Sequence, residues 1–227
     1  MGNNALESVG DRPRDVAMKD FTTSLSRINV GSQVETLTDN EKEKIKDTIS
    51  TFYSRRMSPR LSWNWGMYDG SIDREIRARI PGYDQHGSDG LSEQLYHFVL
   101  RGAGFSSCAG ARILEVGCGA GKGLNFLSRL EPKACFIGVD RSRQAIRFAQ
   151  SQFARTDDSL NFVEADAERL PFGDAEFDAV INIESSHNYP DLGRFYSEVT
   201  RVLKPGASFS FADIRPHLTD SAYSPLA

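Results

Sequence analysis

Residues 113–123, Ile-Leu-Glu-Val-Gly-Cys-Gly-Ala-Gly-Lys-Gly, constrain this chain more than any other stretch. An apolar run carries an acid, Glu115, and then a loop has glycine at every second position. Apolar residues resume at helical spacing at Leu124, Leu127 and Leu130. The pattern predicts a buried strand turning tightly into a helix. Glycines there let the backbone approach a ligand, and the helix start offers unpaired N–H groups. Nucleotide-like molecules bind at such turns.

Three ligand classes use a turn of this kind. A phosphate-cradling P-loop needs glycine five residues before Gly-Lys-Ser/Thr. Here Val116 holds the first position and Gly123 replaces the hydroxyl residue, so that pattern fails at both ends. A dinucleotide fingerprint needs G-x-G-x-x-G. Gly117 and Gly119 fit its first half, but Lys122 stands at the third glycine. The S-adenosylmethionine pattern, an acid before G-x-G-x-G, is met in full by Glu115, Gly117, Gly119 and Gly121, with Cys118 inside the loop. A plain tight turn and a variant dinucleotide site stay open as alternatives.

The rest of the chain agrees with an α/β architecture. Strands are predicted at 112–116, 135–139, 161–164, 177–183 and 208–212. Helices are predicted at about 121–130, 142–154 and 191–203. Continuous apolar strands alternating with amphipathic helices mean a parallel sheet covered on both faces. Before them lies a predicted cap, residues 36–105, and before that a polar segment, 1–35, expected to be flexible. The third unit is 106–227. In the cap, Thr38 and Glu41 form a capping box, and Ile45, Ile49, Phe52 and Tyr53 share a helix face read as core packing. Residues 57–90 read as irregular. Their aromatic group, including Trp65 and Tyr68, either glues the cap down or lines a substrate pocket. A helix from 88 to 101 buries Leu91, Leu95, Phe98 and Val99.

Composition removes several classes. The 227 residues carry a formal charge of -4, which does not favour a nucleic-acid backbone. No apolar stretch approaches the roughly 18 residues of a membrane span, and the first residues lack a signal-peptide core. Three widely spaced cysteines resemble neither a disulfide framework nor a zinc site, so a cytoplasmic protein without a metal is expected. The partner expected is a small-molecule acceptor, without stable membrane insertion; a homo-oligomer is possible.

Polar residues at strand ends are the site candidates. Asp140 ends the second strand, 23 residues after Gly117. It can accept hydrogen bonds from ribose hydroxyls or cap a helix, a task for which Ser142 competes. Arg141 adjoins it. Asp166, with Ala167 beside it, can accept an adenine amino group or lie solvated. Asn182, Glu184, His187 and Tyr189 lead away from the fourth strand. A neutral imidazole at His187 suits a general base, a substrate hydrogen bond or a structural role. Asp213 ends the fifth strand, where it can orient His187 or be the base itself. His86 and His97, in the cap, read as surface residues, and His217 lies in the tail.

The motifs LEVGCGAGKG (114–123), GVD (138–140), ADAERLPF (165–172), FDAVINIESSHNYPD (177–191) and RVLKPGASFSFADIR (201–215) together resemble the class I S-adenosylmethionine-dependent methyltransferases. ESSHNYPD and the upstream WNWGMYDG are similar to bacterial small-molecule methyltransferases acting on polyketide-derived lipids such as phthiotriolones, or on glycosylated natural products. The resemblance implies a Rossmann-like, mostly parallel sheet. It implies methyl transfer to a hydroxyl or carbon of a small natural product, lipid or glycoside, leaving S-adenosyl-L-homocysteine. It assigns Glu115, Gly117, Gly119 and Gly121 to the methionine part, Asp140 to the ribose, Asp166 and Ala167 to the adenine, and His187 and Asp213 to proton removal. The family fold continues into a helix and an antiparallel strand pair, for which residues 216–227 are too short, so the fold reads as lacking those strands and the third unit as C-terminally truncated. A nicotinamide-dinucleotide oxidoreductase and a non-catalytic cofactor-binding protein are the rival readings.

Overall fold

The computed structural model describes residues 37–55, 63–85, 88–104 and 108–213. The described elements run α1 (Asp39–Arg55), α2 (Gly70–Arg79), α3 (Leu91–Gly102), β1 (Arg112–Val116), α4 (Lys122–Leu130), β2 (Cys135–Asp140), α5 (Arg143–Phe153), β3 (Leu160–Glu164), β4 (Phe177–Ile183), a short 3-10 turn (Ser186–Asn188), α6 (Leu192–Val202) and β5 (Leu203–Ala212). The expected Rossmann-like α/β sheet is present. Its order is β3-β2-β1-β4-β5 and every pairing is parallel.

Strand alternation divides the core in two. Ile113, Phe136, Phe162, Ala179 and Ile181 face one side, packed with α2, α3, α4 and α5 through Ile76, Leu95, Leu127 and Ala149. Leu114, Val116, Ile137, Val139 and Val180 face the other, against Phe195, Val199 and Val202 of α6. The helices α2 and α3 thus share one apolar cluster with the sheet. Burial of the apolar faces on both sides supplies the main stabilisation, at about 25 cal/mol per Å² removed from water.

The chain leaves β1 in one direction across the sheet to β2 and β3, and later in the other to β4 and β5. The order therefore reverses between β2 and β4, beside β1. Crevices form at the carboxyl ends of strands at such a point.

Local chemistry explains the helix ends. Glu41 accepts from the Thr38 N–H at 2.8 Å while Thr38 Oγ1 accepts from the Glu41 N–H at 3.4 Å, as the predicted capping box requires. Ser142 caps α5 by accepting from the Ala145 N–H at 3.3 Å.

Four expectations in the cap are corrected. Residues 57–90 are not irregular throughout, because Asp69 accepts from the N–H groups of Ser71 and Ile72 and starts α2. Its Ile72 and Ile76, four residues apart, are buried. On α3, Phe98 faces solvent, and the buried set instead includes Gln94, Tyr96, His97 and Leu100. His97 is thus not a surface histidine; burial lowers its proton affinity. On α1 the expected apolar core face is only partly covered, and the buried residue is Lys46. His86 and His217, and the segment 1–35 apart from its neighbours, lie outside the described residues.

Candidate functional site

A cleft of about 1190 Å³, measured out to its open mouth, lies at the carboxyl ends of β1–β4. Its floor is the glycine loop, with Val116, Gly117, Cys118 and Gly119 among the lining residues. Gly117 has φ +81°, and a Cβ there would come within 2.0 Å of Ser185 Oγ and 2.6 Å of the Tyr189 hydroxyl. Only glycine lets the loop pass beneath those side chains. Gly119, at φ +51°, would meet nothing within 4 Å. Its open side is the space a ligand backbone contact needs.

Gly121 does different work from that expected. A Cβ at this position would strike Phe162 at 2.6 Å and Ala149 at 2.8 Å. Gly121 lets α4 start against α5 and β3, and it does not line the cleft. Glu115 is also set behind the cleft rather than on it. Strand alternation turns it toward α3, where Tyr96 donates to Oε1 at 2.7 Å. Its Oε2 is buried without a hydrogen-bond partner, and burial raises the carboxyl to about 8.

Asp140 lines the cleft at the end of β2. Its Oδ2 accepts from the Gly119 N–H at 2.9 Å and its Oδ1 from the Ser142 N–H at 2.7 Å. Each oxygen retains acceptor capacity for a ligand hydroxyl. Burial raises the Asp140 carboxyl, and those two N–H groups oppose the shift.

Asp166 and Ala167 line the same end of the cleft. Asp166 Oδ2 receives Lys46 Nζ at 2.8 Å and Arg141 at 2.9 Å, and its Oδ1 receives the Glu168 N–H at 2.9 Å. Although burial works the other way, Lys46 and its neighbours hold this carboxyl below its usual range. Lys46 reaches Glu168 too, at 2.6 Å, while Arg141 extends to Glu43 and Asp47. A charged network therefore straps α1 across the Asp166 end of the cleft.

The residues after β4 split into two groups. Glu184, Ser185, Asn188 and Tyr189 line the cleft. Glu184 Oε2 accepts from the Trp65 N–H at 2.8 Å. Asn182, a site candidate in the sequence, is instead fully buried; it donates to the Val116 carbonyl at 2.8 Å and the Tyr189 hydroxyl at 3.1 Å. It fixes the β4 exit to the end of β1.

His187 and Asp213 are brought together as expected. Nδ1 lies 2.5 Å from Asp213 Oδ1, and the His187 N–H donates to Oδ2 at 2.9 Å. Ser186 Oγ donates to the same Oδ2. The imidazole does not line the cleft. Its Nε2 lies 3.0 Å from Asn188 Nδ2, which stands between the ring and the cleft. With Nδ1–H given to Asp213, Nε2 keeps a lone pair, the state a general base requires. That tautomer is assigned from the hydrogen-bond pattern.

Of the aromatic candidates, Tyr189 is in the wall, but Trp65 and Tyr68 are not. They are 42% and 73% exposed and are not among the lining residues. The neighbouring Trp63 and Asn64 line the cleft instead, with Tyr53 of α1 edge-on to Trp63 at 5.1 Å between centroids. Burial pushes the Tyr53 hydroxyl up to about 12. The sequence reading missed Lys46, Tyr53, Trp63, Tyr96 and Lys122. Tyr53 and Trp63 were visible in aromatic groups; nothing in the pattern separates Lys46 from a solvated helix lysine.

A family model described as a methyltransferase domain matches residues 114–211. A fatty-acid O-methyltransferase from Mycolicibacterium smegmatis is 44% identical over 125 residues, taking in 55% of this chain and 44% of that protein. A phthiotriol/phenolphthiotriol dimycocerosates methyltransferase from Mycobacterium leprae is 45% identical over 122 residues, or 54% of this chain and 43% of that protein. The match thus spans less than half of each of these two relatives. Among solved structures, a geranyl diphosphate C-methyltransferase from Streptomyces coelicolor A3(2), in complex with Mg2+, geranyl diphosphate and S-adenosyl-L-homocysteine, aligns with a TM-score of 0.58 at 19% identity. That alignment covers 74% of this chain and 63% of the other, and its likeness is one of fold. Among the described residues no helix is long and apolar enough to cross a membrane, and no group of metal-ligating side chains occurs.

Proposed function

We propose, for a chain that belongs to the class I S-adenosylmethionine-dependent methyltransferases, methyl transfer from S-adenosylmethionine to a hydroxyl or carbon of a lipid or other small natural product. The observation that carries the reading is the cleft itself. Its glycine floor is open at Gly119, closed to any side chain at Gly117, and edged by the Asp140 and Asp166 carboxylates. A nucleoside with a short charged tail fits that donor and acceptor set. Asp140 would take the ribose hydroxyls, and the edge beside Asp166 and Ala167 the adenine.

The cofactor supplies an activated methyl group on a sulfonium. The chain's residues have three tasks. The strap formed by Lys46 and Arg141 on Asp166 and Glu168 keeps α1 closed and limits water. The wall of Tyr53, Trp63 and Tyr189 holds the acceptor in line, and alignment is the largest contribution asked of such a site. His187, oriented by Asp213, takes the acceptor proton at Nε2 once the acceptor replaces the Asn188 amide there.

The relatives' names point to an acyl or polyketide-derived lipid as the acceptor class to test first. Calorimetry with S-adenosyl-L-homocysteine and with a nicotinamide dinucleotide tests the cofactor. We expect binding of the first alone; the opposite result sinks the reading in favour of a dehydrogenase. Transfer of labelled methyl to a panel of long-chain fatty acids and hydroxylated polyketides tests the reaction. Cofactor binding without transfer to any member supports the non-catalytic rival.

A further inference from the structure

Asn188 ends the 3-10 turn after β4 and lines the cleft, while His187 beside it does not. Its Nδ2 lies 3.0 Å from His187 Nε2 and 3.4 Å from the Tyr53 hydroxyl of α1. Its Oδ1 is buried with no hydrogen-bond partner among the described residues. The carboxamide is thus held at one end only. Nδ2 can turn away from Nε2 without breaking any bond at Oδ1.

An oxygen standing where Nδ2 stands now would be 3.0 Å from Nε2 and 3.4 Å from the Tyr53 hydroxyl. The displaced amide, on the adjoining residue, would remain beside it as a donor. Two elements, the turn after β4 and α1, therefore bring three polar groups to one point of the wall. Nε2 offers a lone pair there, and the Asn188 N–H and Tyr53 O–H can donate. The charges acting on that point are negative. Burial raises the Tyr53 hydroxyl, and the carboxylates of Asp140, Asp213 and Glu184 raise it further. The lining cations Lys46 and Arg141 are already spent on carboxylates of the protein.

We propose that this point seats the hydroxyl oxygen of a neutral alcohol, with Asn188 and Tyr53 as donors to it, so that the chain forms methyl ethers. The inference rests on the methyl-transfer reading above and chooses among its acceptors. An alcohol has one hydrogen and two lone pairs. The hydrogen goes to Nε2, one lone pair accepts from the donors, and the other faces the methyl group. In the transfer the O–H bond breaks and its proton passes to Nε2. The oxygen–methyl bond forms as the methyl–sulfur bond breaks, with that electron pair left on sulfur. The two donors meet the negative charge that gathers on oxygen as the proton leaves. A carboxylate acceptor brings no hydrogen for Nε2 and adds its charge to those of Asp140, Asp213 and Glu184. A carbon at this point offers no lone pair to either donor.

The test follows labelled methyl from S-adenosylmethionine, with the full chain, into long-chain secondary alcohols and fatty acids of matched length. Mass spectrometry identifies the products. We expect methyl ethers, formed at least about 100-fold faster than methyl esters. This comparison needs no variant. Asn188→Leu, similar in shape but without the amide, should lower kcat on the alcohol by about 100-fold, and Tyr53→Phe by about 10-fold. In both, affinity for S-adenosyl-L-homocysteine should stay within about twofold of the unaltered chain, because the groups removed face the acceptor. Esters or carbon-methylated products in excess over ethers would overturn this inference and leave methyl transfer standing. Undiminished kcat in both variants, whether or not KM rises, would also overturn it. Cofactor binding with transfer to neither acceptor class would instead reject the methyl-transfer reading, and this proposal with it.

Discussion

Lys46 and Glu168 meet at 2.6 Å with side chains only 8% and 4% exposed, so the contact holding α1 to the sheet's ligand end is a buried ion pair. Two further bonds surround it, from Lys46 to Asp166 and from Lys42 to Asp191 at 2.7 Å. No apolar residue of α1 is fully buried. The helix is therefore attached by charge more than by packing.

Lys46→Met should release it. Removing one partner of a buried pair strands the other, at a cost of about 3–5 kcal/mol, although Arg141 would still serve Asp166. Hydrogen exchange over residues 39–55 should rise well before global unfolding, while β1 and β4 stay protected. Undisturbed exchange in α1 would show that its apolar contacts suffice.

Glu115 makes stability depend on pH. Its carboxyl is raised by burial from an ordinary value near 4.5 to about 8. The folded state therefore holds a proton that the unfolded chain has lost between those two values. Stability is fully present below about 4.5 and declines as pH rises toward about 8, by at most about 1.4 kcal/mol per pH unit. Asp140, raised in the same direction, adds to the decline. Glu115→Gln removes one of the two sources. Urea midpoints from pH 5 to 8.5 should fall less steeply in that variant, and parallel slopes would refute the assignment.

Two glycines of one motif should fail in different ways. Gly121→Ala forces a Cβ into Phe162 and Ala149, and φ +76° adds strain of about 1–2 kcal/mol. We expect a clear loss of thermal stability. Gly119→Ala meets no protein atom within 4 Å, so its stability cost should be the backbone strain alone. Its methyl group projects into open cleft, and ligand affinity should fall by about tenfold or more. Measuring unfolding temperature and S-adenosyl-L-homocysteine affinity on both variants separates the two effects.

This contrast also shows where sequence reasoning reached and where it stopped. The central strands were legible because β1, β2 and β4 are short apolar runs buried on both faces, and Phe177–Ile183 lies where it was expected; β5, with no fully buried residue, starts five residues before the expected 208. The glycine loop was legible as a ligand turn. Its members' separate tasks were not, because G-x-G-x-G carries no information about which face meets Phe162 and which meets the cleft. Side-chain direction caused the other misses. Glu115 sits one position before Val116, and strand alternation sends it to Tyr96 rather than to the ligand side. Trp63 and Trp65 are two residues apart in a bent segment outside helix and strand, and only tertiary packing decides which ring enters. The charge strap of α1 joins residues 120 apart in sequence, Lys46 to Asp166, and no local pattern reports such a pairing.

The last expectation concerns His187. The Asp213 carboxylate fixes its Nδ1 side, which leaves Nε2 to carry any proton transferred. His187→Ala should lower turnover on a hydroxyl acceptor by about 10²–10⁴. Affinity for S-adenosyl-L-homocysteine should stay nearly unchanged, because the ring lies outside the cleft wall. Asp213→Asn should also slow turnover, by disturbing the tautomer and orientation of the ring rather than by removing the base. A loss below about threefold on a proven acceptor would reduce His187 to holding the loop after β4. An equal loss of cofactor affinity would mean instead that the His187–Asp213 pair shapes the cofactor wall through Asn188, which touches both.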